Sequence, residues 1–127
     1  MRITIEISPG ELVDRATILR LKSAHITDLQ KKAIVSTELA RYEAGVANLP
    51  QGPALGLLVD RLFAINAKLW EIEDTLRNCE RLQDFGPAFV QLARDVYRTN
   101  DERFRIKRAI DELLGSAILE VKSYGGQ

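Results

Sequence analysis

Asn66, Trp70, Glu73 and Arg77 follow one another at helical spacing, so they form a single stripe of amide, indole, carboxylate and guanidinium. A helix that only faced a core would not require such a stripe. Trp70 offers a stacking face, and Arg77 offers the planar fork that holds phosphate or carboxylate. Carboxylates on adjacent helical turns recur in Glu11-Leu12-Val13-Asp14 and Glu71-Ile72-Glu73-Asp74. From facing helices such groups can hold Mg²⁺ or Mn²⁺, as in all-helical nucleotide pyrophosphatases, and Glu73 and Asp74 would be the ligands. Against that chemistry, Glu11 is already explained as a capping residue, and arginines lie near enough to neutralise the rest. No cofactor is expected unless that metal-dependent chemistry holds.

Other chemistries find less support. His25 is the only histidine and has no ligand partner at metal spacing, so it reads as a solvated or satisfied side chain and zinc is excluded. Ser8 and Ser36 read as helix caps, not nucleophiles. Cys79, the single cysteine, falls on an apolar seam and reads as a buried side chain in a reducing compartment. The basic run from Arg103 to Arg108 is flanked by Asp101, Glu102, Asp111 and Glu112, the pattern of a solvated, ion-paired face. With 18 basic and 18 acidic residues, no global field draws nucleic acid or an anionic membrane.

The elements that must position these groups follow from the apolar spacing. Leu55, Leu58, Leu62, Ile65, Leu69, Ile72, Leu76 and Cys79 form an unbroken seam, which predicts one long helix over about 54–82. Ser8-Pro9-Gly10-Glu11 has the cap, first-turn proline and capping-box carboxylate of a helix start, with Glu11 returning a bond to Ser8. That first helix is predicted to run to about Lys32, burying Leu12, Ala16, Leu19, Ile26 and Leu29. A weaker helix from about Ser36 ends at Leu49-Pro50-Gln51-Gly52-Pro53. Pro87 opens a last helix to Gly115, with a kink or restart expected at Thr99-Asn100-Asp101-Glu102. Ile3, Ile5 and Ile7 alternate with polar residues, and 116–124 reads as a second strand pairing with 2–7. The expected fold is therefore mainly α, a single domain over 1–127. It is an antiparallel bundle of three to four helices with a short two-stranded β element formed by the terminal segments.

The short turn near residue 85 makes the last two helices antiparallel neighbours, so residues whose numbers sum to about 170 lie level. Trp70 then faces Asn100, Glu73 faces Tyr97, and Asn66 faces Arg103 or Phe104. Arg103 and Lys107 occupy or adjoin seam positions and need partners there; Glu73 and Asp74 are the first choice and Asp14 the third. The cluster reads either as ion pairs that fix helix register or as a ligand pocket between helices.

Four blocks stand out together: Ile7-Ser8-Pro9-Gly10-Glu11-Leu12-Val13-Asp14-Arg15 with Thr17-Ile18-Leu19; Leu69-Trp70-Glu71-Ile72-Glu73-Asp74 with Arg77; Tyr97 with Asn100-Asp101 and Ile106-Lys107-Arg108; and Gly115-Ser116 with Lys122-Ser123-Tyr124. In that order they resemble a family of short bacterial proteins of unknown function. The resemblance implies a bacterial, cytoplasmic, single-domain protein near sugar transfer or surface-polysaccharide assembly, and supplies no catalytic residue. The candidate surface is Asp14, Arg15, Asn66, Trp70, Glu73, Asp74, Arg77, Asn100, Asp101, Arg103 and Lys107. The first reading is an interaction or accessory module, a homodimer or the partner of another protein, with no leader peptide and no membrane span. The second is a binding module or metal-dependent phosphohydrolase for an anionic small molecule such as a nucleotide or nucleotide-sugar.

Overall fold

A computed structural model describes residues 1–118, 120 and 121. Four helices follow in order, α1 (Pro9–His25), α2 (Leu29–Ala47), α3 (Pro53–Leu82) and α4 (Pro87–Leu113). The α1 start is built as its sequence predicts, with Pro9 in the first turn and the Ser8 hydroxyl accepting from Glu11 N–H at 3.1 Å. It ends earlier than expected. Ile26 turns to extended backbone, and Asp28 caps α2 by accepting from Lys31 N–H at 2.9 Å. The apolar spacing carried across this break, but Leu29 beyond it is 83% exposed. A local side-chain cap therefore decides where the helix stops, not the hydrophobic pattern.

The hairpin of α3 and α4 is the frame. Leu55, Leu62 and Ile72 of the seam are buried, and α3 runs for 30 residues, about 45 Å at 1.5 Å per residue. Its end is closed by Gln83 at φ 54°, with Asp84 N–H bonded to Cys79 O and Gln83 N–H to Glu80 O. The α4 helix passes through 99–102 without a restart, and Thr99 is buried mid-helix instead of capping. Gly115 at φ 63° ends it with the same two-bond closure, Ser116 N–H to Asp111 O and Gly115 N–H to Glu112 O. On this frame α1 packs against both α3 and α4, while α2 packs on α1 alone.

No strand occurs among the described residues, which corrects the expected β element. Ile3 and Ile5 are 79% and 75% exposed, so the alternating pattern finds no surface to bury against. A two-stranded ribbon without such a surface is marginal in water. The part of the expected second strand at Leu119 and 122–124, with Lys122, Ser123 and Tyr124, lies outside the described residues.

The apolar core sits at one end of the hairpin. Val13, Leu55, Leu62 and Ile110 form it, with Val46, Leu49, Leu58, Val59, Ile106 and Leu114 packed around. Here the start of α1 is clamped onto α4. Gly10 N–H donates to the buried Asp111 carboxylate at 2.7 Å, a charge placed at a helix N-terminus where the exposed amides favour it. A Cβ on Gly10 would stand 2.4 Å from Lys107 O, so only glycine permits the approach. Gly10→Ala is expected to lower stability by about 1–3 kcal/mol, the usual range for overpacking. Gly56→Ala, which meets open space in the first turn of α3, is expected to raise it by about 0.5–1 kcal/mol. Urea midpoints of the two variants against the parent check both signs.

Candidate functional site

The packing of α1 across the hairpin brings one carboxylate to the place where three helices meet. Asp14 of α1 is fully buried. Arg103 of α4 grips it with both sides of its fork, Nε donating to Oδ1 at 2.9 Å and Nη2 to Oδ2. Asn66 of α3 donates from Nδ2 to the same Oδ1 at 2.9 Å and to Thr17 Oγ1 at 2.8 Å. Thr17 in turn donates its hydroxyl to the Asp14 backbone carbonyl at 2.7 Å. The Asp14 bond raises the Arg103 pKa above its ordinary value, outweighing burial, which acts the other way.

One turn along α4, Lys107 lies between three carboxylates. Its Nζ stands 2.7 Å from Glu11, 2.8 Å from Glu120 and 4.0 Å from Asp14. Burial pushes the lysine's pKa down, but these partners push it further up. Glu11 is held below its ordinary 4.5; burial opposes this, and bonds to Lys107 and Arg15 prevail. Arg15 is exposed on α1 and reaches Glu11 at 2.9 Å.

These pairings correct two expectations. Arg103 and Lys107 do not pair with Glu73 and Asp74, which are exposed and make no ion pair among the described residues. The reason is that α1 lies level with the cationic turns of α4 and supplies Asp14 and Glu11 from inside the bundle. Nor does Glu11 return a bond to Ser8, because Lys107 and Arg15 occupy its carboxylate. Thr17, buried in the Asp14 network, and Asp111, buried at the clamp between α1 and α4, were not named as site residues from the sequence. An aspartate four residues after a seam lysine, beside a helix start that carries glycine, was the available signal for Asp111.

Beside the network opens a cleft of about 500 Å³. From α3 it is lined by Asn66, Trp70, Glu73, Asp74 and Arg77, and from α4 by Asn100 and Arg103. Ile18, Leu21 and Leu69 give it an apolar floor. The register inferred from the turn is thus realised where Trp70 and Asn100 share a wall. His25, at the end of α1, stacks on Trp70 with ring centroids 4.6 Å apart and planes at 27°. Of the other candidate residues, Asp14 and Lys107 belong to the ion-pair network, Arg15 lies on the outer face of α1, and Asp101 is half-buried on α4 away from the cleft. Among the described residues no group of three or more His, Cys, Asp or Glu is placed to hold a metal ion. Glu73 and Asp74 supply two exposed carboxylates and no more.

No helix among the described residues is long and apolar enough to cross a membrane. The model of a family of unknown function (DUF6165) matches residues 3–127 of the chain. No curated protein and no solved structure matches it.

Two measurements test the network. Asp14→Ala leaves the Arg103 guanidinium half-buried without its carboxylate and should cost about 3–5 kcal/mol, while the double change Asp14→Leu with Arg103→Met should cost less than Asp14→Ala alone. A double-mutant cycle by chemical denaturation reads the coupling. The second is pH dependence. Because its folded pKa is lowered, Glu11 contributes stability that is fully present above the ordinary 4.5 and is lost as pH falls through the folded value. Lys107, with a raised pKa, contributes stability that is complete below the ordinary 10.5 and is lost as pH rises through its folded value. The stability difference between the parent and Glu11→Gln is therefore expected to be flat through neutral pH and to shrink on acidification below about 4.5.

Proposed function

The chain belongs to that family of unknown function, and from its geometry we propose that it is an interaction module that pairs with a second copy of itself through the far end of the α3–α4 hairpin. One observation carries the reading: from Glu73 to Arg98, through the end of α3, the turn and the start of α4, no residue is buried. The α1 helix ends near Trp70, so this stretch of hairpin extends beyond everything that covers the frame. Its own seam, with Leu76, Cys79, Phe89, Leu92 and Val96, is only half-buried. Leu82, Phe85, Val90 and Tyr97 are exposed outright.

Such a hairpin has the shape that two-fold pairing completes. Two antiparallel helix pairs brought together make a four-helix bundle, and an isologous contact lets each copy cover the other's seam. Charge does not oppose it. Residues 73–98 carry five acids (Glu73, Asp74, Glu80, Asp84, Asp95) and four bases (Arg77, Arg81, Arg94, Arg98), a near-balance of both signs. An acidic or basic partner would favour a biased surface instead.

Sedimentation equilibrium is expected to give a dimer whose thermal midpoint rises with protein concentration. The paired variants Leu82→Glu and Phe85→Glu change exposed residues only, so they should leave helicity intact and yield a monomer. A strict monomer for the parent at millimolar concentration removes the proposal.

A further inference from the structure

The cleft at the root of the hairpin shares Glu73, Asp74 and Arg77 with the uncovered stretch, and its other groups carry chemistry that pairing of the hairpin ends does not use. Three of its polar groups have bonding capacity to spare, and two of them, Asn66 and Arg103, are held in place. Asn66 is 5% exposed, and both hydrogens of its amide nitrogen are spent on Asp14 and Thr17. Its Oδ1 has no partner among the described residues, yet no buried side-chain polar atom is left unsatisfied there, so that oxygen reaches solvent. Asn66 lines the cleft, which makes the oxygen a fixed acceptor at its wall. Arg103 spends Nε and Nη2 on Asp14, and its Nη1 meets only Asn100 at a long 3.4 Å. Arg77 has no hydrogen-bond or ion-pair partner among the described residues.

We infer that the cleft binds a small phosphate-bearing molecule with a planar aromatic body, the class of a nucleoside monophosphate. Arg77 and the free edge of Arg103 present guanidinium donors, which suit phosphate oxygens. Trp70, steadied from one side by His25, lends an aromatic surface beside the apolar floor of Ile18, Leu21 and Leu69. The Asn66 oxygen accepts from a ring or exocyclic N–H. A volume of about 500 Å³ lies within the range of small-molecule sites. Glu73 and Asp74 at the same cleft work against an anion. Neutralising them therefore gives the inference a sign that a cation-binding cleft would reverse.

Isothermal titration with AMP, UMP, adenosine and inorganic phosphate tests it, on the parent and on Arg77→Ala, Trp70→Leu and Glu73→Gln. Arg77 is exposed and unbonded, so its alanine variant should fold as the parent does. The expected result is binding of a nucleoside monophosphate that weakens about tenfold or more in Arg77→Ala. It should also weaken in Trp70→Leu and tighten in Glu73→Gln. Adenosine and phosphate alone should each bind more weakly than AMP. Absence of nucleotide binding at millimolar concentration overturns the inference, as does an affinity that Arg77→Ala leaves unchanged. Adenosine binding as tightly as AMP overturns it too. A Leu82→Glu, Phe85→Glu monomer should bind as the parent does, so loss of the dimer and loss of the site are separately visible.

Discussion

A carboxylate taken wholly out of water has to be satisfied completely, and Asp14 sets that requirement for the whole bundle. Its two oxygens accept from Arg103 and Asn66, which stand on different helices and a long way apart in sequence. Any sliding of α1 against the hairpin, or of α3 against α4, strands one of these groups. Apolar seams of leucine and isoleucine tolerate a slip of one turn, since each turn presents a similar surface. A buried ion pair with a supporting amide does not. Its net contribution to stability is small, because desolvation offsets much of the attraction; its contribution to choosing one register over its neighbours is large.

Around that point the molecule grades from apolar to uncovered. At one end Val13, Leu55, Leu62 and Ile110 close a dry core, and the start of α1 is pinned to α4 through Gly10 and Asp111. In the middle the contacts become charged, with Lys107 neutralised by Glu11 and Glu120 beside the Asp14 cluster. Beyond Ile72 the hairpin has no covering helix and no buried residue until Thr99. The length difference explains the gradient, since α1 has 17 residues against 30 in α3 and 27 in α4. A cover that short cannot protect both ends of the frame, and the end it protects is the one with the core.

What could be read from the sequence divides along the same physical lines. The long helix, its antiparallel neighbour and the cap at Ser8 depend on local spacing or short turns, and their positions follow directly. The register did too, because a four-residue connection leaves the two helices little freedom. Pairing choices did not. Whether Arg103 meets Glu73 or Asp14 depends on where α1 crosses, which is a property of three helices together and not of any segment. Likewise Ile3-Thr4-Ile5 has strand periodicity whether or not a surface exists to receive it, and Asp28 overrules an apolar pattern that continues past it.

The cleft and the ion pair are joined through Arg103, and that joint decides how the site behaves. An exposed arginine loses side-chain freedom when it closes on a ligand, and that loss subtracts from affinity. Arg103 has already lost it on folding, because Asp14 holds two of its three nitrogens. Asn66 is fixed by the same carboxylate, so donor and acceptor enter the cleft at a set separation. Asp14 also cancels the charge of Arg103, so the guanidinium contributes direction more than field. The field falls to Arg77, which is free to move and stands on the hairpin side. The cleft therefore combines one rigid, neutralised donor with one mobile, fully charged one. For the proposed ligand the first would give orientation and the second attraction, and the rigidity of the first traces to the choice of Asp14 as the partner of Arg103.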